Sequence, residues 1–137
     1  YIEKAILEDF ERYDIEKLAF DRWNASQLIT HLLSILGEAR LVKFGQGFVD
    51  MSPACRELER RLKGGLIRHG GNPVVRWMAS NVSAKSDPAG NIKPDKENSA
   101  DKIDGIVALL DAIGAETRTA DEGSSIYDQT GGAVEAW

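Results

Sequence analysis

Apolar positions in this chain change period along its length, and the changes mark its elements. Ile2, Ala5, Ile6, Leu7, Phe10 and Tyr13 fall at helical spacing, with Glu and Lys between them. Asp14 marks a turn, and Ile15–Phe20 ends in an apolar triplet, as a buried parallel strand does. Asn24 with Gln27 three positions on resembles a capping box, and opens a helix whose apolar face is Leu28, Ile29, Leu32, Leu33, Ile35 and Leu36. Gly37 closes it, and Arg40–Phe44 reads as a second strand. Strand, helix and strand on short connections make a βαβ unit with a parallel pair.

Beyond Gly45–Gly47, Ser52 and Pro53 read as cap and first position of a third helix running through Cys55, Leu58 and Leu62 to Gly64. Pro73 opens another, to about Asn81. Val82–Lys96 reads as a hairpin around Asp87-Pro88-Ala89-Gly90-Asn91. Ser99 is the expected cap of the last helix, with Ile103, Ile106, Val107, Leu110 and Ile113 on its apolar face and Gly114 as its stop. Periodicity then ceases, so residues 114–137 are expected to form an acidic, disordered tail behind one domain over 1–113.

Composition narrows the class. With 137 residues, 42% of them hydrophobic, the chain suits one domain with a core of its own. No apolar run approaches the ~18 residues of a membrane span, so no membrane partner is expected. Cys55 is the lone cysteine, which excludes a disulfide framework. The net charge of −5 argues against a nucleic-acid partner until it is divided along the chain. Residues 114–137 carry Glu116, Asp121, Glu122, Asp128 and Glu135 against Arg118. Residues 56–76 carry Arg56, Arg60, Arg61, Lys63, Arg68 and Arg76 against Glu57 and Glu59, so a local basic surface is compatible with the acidic total.

Candidate chemistry is carried by acids. Asp21 ends a strand and precedes a helix, and sites in open α/β sheets form outside the carboxyl ends of strands. It serves there as a metal ligand or acid–base group, or as a plain loop acid beside Arg22. Asp101 and Asp104 share a face in the first turn of the last helix, where the macrodipole favours acids, and Asp111 lies further along the same side. Asp104, between Ile103 and Gly105, sits beside the apolar face, where a carboxylate needs a partner such as a divalent cation. His31 reads as structural or surface. His69 holds its Gly-rich turn or meets a phosphate. Cys55, Trp23 and Trp77 read as packing residues. Gly45-Gln46-Gly47 lacks the Lys-Ser/Thr of a phosphate loop.

Three stretches together, FDRWNASQLITHLLSILG, GQGFVDMSPACRELERRLKGGLIRHGGNPVVRWMASNV and DPAGNIKPDKENSADKIDGIVALLDAI, resemble the C-terminal nuclease domain of tailed-phage terminase large subunits. The resemblance spans residues 1 to about 113, in family order. Its most specific pieces are Ala19–Asn24, His69–Pro73 with Trp77 and Asn81, and Lys96 followed by Lys102–Ala108.

The resemblance implies an RNase H-like α/β fold, a mixed sheet flanked by helices. It implies endonucleolytic cutting of concatemeric double-stranded DNA with Mg2+ or Mn2+ in a two-metal site. Asp21 and Asp104 take the catalytic, metal-holding places, with Asp101 a neighbouring ligand candidate. Lys96 faces the DNA backbone or the site, and Arg60, Arg68, His69 and Arg76 are candidate phosphate contacts. The implied setting is the host bacterial cytoplasm, with an ATPase domain upstream and the small subunit and portal as partners.

The family's first catalytic Asp stands on a strand upstream of the helix that opens here at Tyr1. The fold is therefore expected to lack its leading strands and one acid. A non-catalytic docking module for portal, small subunit or DNA is the alternative reading.

Overall fold

The computed structural model describes residues 1–21 and 26–123. Five helices and four strands occur among them: α1 (Ile2–Arg12), β1 (Leu18–Asp21), α2 (Ser26–Leu36), β2 (Leu41–Phe44), α3 (Phe48–Lys63), α4 (Pro73–Asn81), β3 (Ala84–Ser86), β4 (Ile92–Pro94) and α5 (Asp104–Gly123).

The expected βαβ unit is present. β1 and β2 pair in parallel, with Leu18 opposite Leu41 and Asp21 opposite Phe44. β1 begins three residues later than the apolar pattern suggested and takes in Asp21, which becomes the last residue of the strand. The expected hairpin is also present, as an antiparallel pair with Lys85 opposite Lys93. Its turn is built by Asp87, whose carboxylate accepts from the amides of Ala89 (3.0 Å) and Asn91 (2.9 Å). Gly90 takes a φ of 80° there, a conformation that favours glycine. Among the described residues the parallel pair and the hairpin are separate two-stranded sheets.

The core lies between α5, α3 and the end of β2. Phe44, Met51, Ala54, Ile103, Ile106, Val107 and Leu110 form one buried cluster. The α5 members recur at three- and four-residue spacing, as one face of a helix must. Cys55 and Met78 pack against the cluster. α1 is held at the edge by polar contacts: no residue in it is buried. His31 Nδ1 lies 2.9 Å from Glu3 Oε1, and the Arg40 guanidinium sits 5.7 Å from the Phe10 ring centre. His31 is thus a surface residue tying two helices.

Three helix boundaries differ from expectation. α3 starts at Phe48 with Gly47 as its cap residue, so Ser52 and Pro53 lie inside it. Ser52 is buried, and its hydroxyl accepts from the Ile92 amide at 3.2 Å, joining α3 to β4 instead of capping. Ser99 is not the cap of α5, which begins at Asp104; its hydroxyl donates to the Asp95 carbonyl (2.6 Å) and accepts from the Ser83 amide (3.1 Å). Gly114 does not stop α5, which continues to Gly123. Gly114 is instead buried against the Phe44 ring, and a β-carbon at that position would overlap the ring. Asn24 and residues 124–137, expected as a cap and as part of a tail, lie outside the described residues.

Candidate metal centre

Asp21 stands at the carboxyl end of β1, level with Phe44 at the end of β2. The residues after Phe44, Gly45 and Gln46, leave the sheet on the same side. That is where a parallel pair opens a crevice. α5 crosses it and brings Asp111, one residue after the buried Leu110, toward Asp21.

Asp111 has a carboxyl pushed up to about 6. Burial is the larger cause and the negative charge of Asp21 the second, while Lys96 and a side-chain hydrogen bond from Gln46 oppose them. Its Oδ1 atom is buried and meets no hydrogen-bond partner. An orphaned carboxylate oxygen within the field of a second carboxylate fits a hard divalent cation, which takes one or two carboxylates and completes its shell with water and phosphate oxygens. Among the described residues no three His, Cys, Asp or Glu side chains converge as a ligand cluster.

The other expected acids lie on the rim. Asp104 is the first residue of α5, and its side chain is 68% exposed with Oδ1 3.2 Å from Lys96 Nζ. The expectation that Asp104 lies buried beside the apolar face is therefore corrected. A side chain at the first helical position projects from the helix end, where water, the macrodipole and Lys96 all receive it. Asp101 is exposed and accepts from the Lys102 amide at 2.8 Å, a local turn bond. Asp101, Asp104, Ser99 and Lys96 line one open cleft of about 240 Å3. The acid that is buried here is Asp95, 5% exposed and held by Asn98 Nδ2 (2.7 Å) and Lys85 Nζ (3.2 Å). These bonds, that of Asn98 foremost, lower its pKa.

Lys96 joins the two acid groups. Besides bonding Asp104 it borders a second cleft of about 160 Å3 with Gln46, Lys85 and Lys93. Lys93 Nζ donates to the Gln46 carbonyl at 3.0 Å and lies 5.2 Å from the Phe48 ring centre. Asp111, Gln46, Lys85 and Lys93 were not singled out by the sequence as site members. Asp111 had a signal, since it lies seven residues after Asp104 and so near the same helix face. Gln46 had one too, two residues past the end of a parallel strand.

The candidate phosphate contacts divide. Arg60 is engaged by Glu57 through two bonds of 2.8 Å, so its charge is answered within α3. Arg68, His69 and Arg76 are exposed. His69 Nδ1 accepts from the Gly71 amide at 3.2 Å, the turn-holding arrangement. His69 and Arg76 also border an apolar groove with Leu58, Leu62, Ile67 and Val75, whose lining includes no acid.

Comparison with known proteins places the domain in a family. Residues 2–120 match the family described as terminase large subunit, endonuclease domain. The terminase large subunit of Enterobacteria phage HK97 is 39% identical over 116 residues, 85% of this chain and 23% of that protein. Protein YmfN of Escherichia coli (strain K12) is 41% identical over 71 residues, 50% of this chain and 16% of its own. The crystal structure of the HK97 bacteriophage large terminase superposes with a TM-score of 0.75 at 39% identity, covering 83% of this chain and 24% of that one. The chain thus spans about a quarter or less of the length of these relatives. The α/β, RNase H-like assignment stands on that superposition. No described helix is long and apolar enough to cross a membrane. The chain belongs to the family of terminase large-subunit endonuclease domains.

Proposed function

We propose that this domain hydrolyses phosphodiester bonds of double-stranded DNA with Mg2+ or Mn2+ held at the end of β1. The observation that carries the reading is the unpartnered, buried Oδ1 of Asp111, on a carboxyl close enough to Asp21 to feel its charge. Cations held by Asp21 and Asp111 would neutralise phosphate charge and activate a water, the chemistry of two-metal hydrolysis. Gln46 orients the Asp111 carboxylate through its amide. Lys85 and Lys93 present positive charge to a phosphodiester entering the adjoining cleft, and contacts of this kind position a duplex without reading its sequence. Asp104 and Asp101 extend the acidic surface along the rim.

Family membership supports concatemeric viral DNA in the host cytoplasm as the substrate. The cutting domain then works behind an ATPase domain, with the small subunit and portal as partners.

Nicking of supercoiled plasmid in MnCl2 tests the activity. The native protein is expected to nick, and Asp21→Asn and Asp111→Asn to lose at least about 100-fold in rate, as removal of a principal charge-stabilising group does. Asp104→Asn, run beside them, tests whether the acid at the start of α5 also holds the ion. A folded native protein that binds duplex but never nicks would favour the docking alternative.

A further inference from the structure

We propose that the apolar groove between α3, α4 and α5 is the docking site of this chain's own acidic end, residues 134–137. Val134 and Trp137 fill it, and Glu135 meets Arg76 on its rim.

Three helices turn apolar side chains toward one concavity of about 320 Å3. Leu58 and Leu62 of α3, and Val75 and Ala79 of α4, stand four residues apart, and Ile106 and Leu109 of α5 three apart, so each pair shares one side of its helix. Leu62 remains 57% exposed, so these faces meet water where a core would be closed. His69 and Arg76 supply the polar rim, and the lining includes no acid. Among the described residues Arg76 enters no ion pair. Arg60, Arg61 and Lys63 of α3, by contrast, are each answered by a glutamate. The groove therefore suits apolar side chains accompanied by a negative charge.

Residues 124–137 have that chemistry: Ile126, Tyr127, Val134 and Trp137 stand beside Asp128 and Glu135, with no Lys, Arg or His. Reach selects the last of them. Gly123 ends α5 14 residues beyond Leu109, about 21 Å along the helix axis. From Gly123 the chain to Ile126 spans at most about 11 Å, and the chain to Val134 at most about 40 Å. Ile126 thus falls short of the groove, while Val134 and Trp137 reach it with length to spare for the reversal. Arg61, next to Leu62, holds Glu116 at 2.8 Å, so α5 passes the α3 wall of the groove about two turns beyond Leu109. Gly131 and Gly132 precede the docking residues and allow a sharp change of direction. Tethering makes the contact intramolecular, at an effective concentration on the order of millimolar. A few apolar contacts and one ion pair then suffice, where a second copy in dilute solution needs a larger surface.

The test is 15N relaxation and amide hydrogen exchange by NMR on the full 137-residue chain. Backbone order parameters at residues 134–137 are expected to be about 0.85, as in a rigid backbone, and to fall below about 0.6 in Trp137→Ala. The same variant is expected to move the amide resonances of Leu62, Ala79 and Leu109. Arg76→Glu alters only the exposed rim and is expected to speed exchange at residues 134–137 about threefold, as loss of an exposed ion pair does. Glu135→Arg added to it is expected to restore the native rate. Order parameters below about 0.6 in the native chain overturn the inference, as does a Trp137→Ala variant that leaves the groove amides unmoved. Native exchange in Arg76→Glu overturns the placing of Glu135. Order that vanishes on dilution, with dimer in sedimentation velocity, assigns the groove to a second copy and overturns the inference as well.

Discussion

Gly114 of α5 packs against the ring of Phe44 at the end of β2, with no room between them for a β-carbon. This close approach fixes how near α5 comes to the sheet, and Asp111 is less than one turn earlier on the same helix. The placing of Asp111 near Asp21 therefore depends on a glycine that touches neither acid.

Gly114→Ala is expected to destabilise the fold. Overpacking a core costs about 1–3 kcal/mol, and the helix propensity of alanine returns up to about 1 kcal/mol of that. Urea unfolding should show the net loss. Phe44→Leu in the same chain should recover part of it, because the two residues share one space and their effects do not add. Equal stability of native protein and Gly114→Ala would contradict the packing.

Asp111 sets a pH dependence in metal-free protein. Its folded pKa, about 6, lies above the ordinary carboxylate value. Between the two values the folded state binds more protons than the unfolded one, so stability falls as pH rises through this window. Above it the charged carboxylate is a standing cost, set by burial and Asp21 and reduced by Lys96 and Gln46. Asp111→Asn should be more stable than the native protein at pH 8 in EDTA. The gain is about 1 kcal/mol once the shift is discounted for the solvent that still reaches the side chain. The difference should shrink toward pH 4. Thermal unfolding across pH 4–8 measures it, and a variant less stable than native at pH 8 would show that Asp111 is paired.

Much of this arrangement was legible in the residues, and the gaps have physical causes. The βαβ unit, the Asp87–Asn91 turn and the Pro73 helix start follow from local chemistry: periodicity, an Asx turn and a proline at a first position. The nearness of Asp111 to Asp21 did not, because Asp104 and Asp111 share a helix face and only the docking angle of α5 decides which lies nearer the strand end. The helix stop at Gly114 failed for a similar reason. A glycine that ends a helix and one that lets a ring approach look alike in sequence, and Phe44 is 70 residues away. Ser52 and Ser99 looked like caps, yet their hydroxyls serve tertiary bonds to β4 and to the Ser83 and Asp95 backbone.

α4 carries a local test of the reading at His69–Pro73. Asn72 accepts from the amides of Val74 (2.9 Å) and Val75 (3.2 Å), answering two of the helix's orphan donors. Asn72→Ala should cost about 1 kcal/mol and Asn72→Asp much less, since aspartate caps equally well. Trp77, on α4 and 44% exposed, offers a fluorescence probe of local fraying alongside global unfolding. Equal stabilities of Ala and Asp variants would mean that Pro73 alone starts the helix.

Arg118 tests whether the part of α5 beyond Gly114 belongs to the fold. Its guanidinium lies 4.6 Å from the centre of the Phe44 ring and also bonds the Asp50 carboxylate and the Lys43 carbonyl. One side chain thus ties α5 to the start of α3 and to the strand beneath Asp21. Glu116, two residues earlier, receives Arg61 at 2.8 Å from the other end of α3. Arg118→Ala should cost about 1 kcal/mol, from the cation–π contact and a partly exposed ion pair. Arg118→Lys should recover only a fraction, because lysine lacks the planar fork that meets ring, carboxylate and carbonyl together. A chain ending after Ile113 loses both ties and the Gly114 contact, and should unfold at markedly lower urea than the single variants. If it melts with the native protein, residues after Ile113 contribute nothing to the fold, and the contact that sets the depth of α5 must lie nearer to Ile103 and Val107.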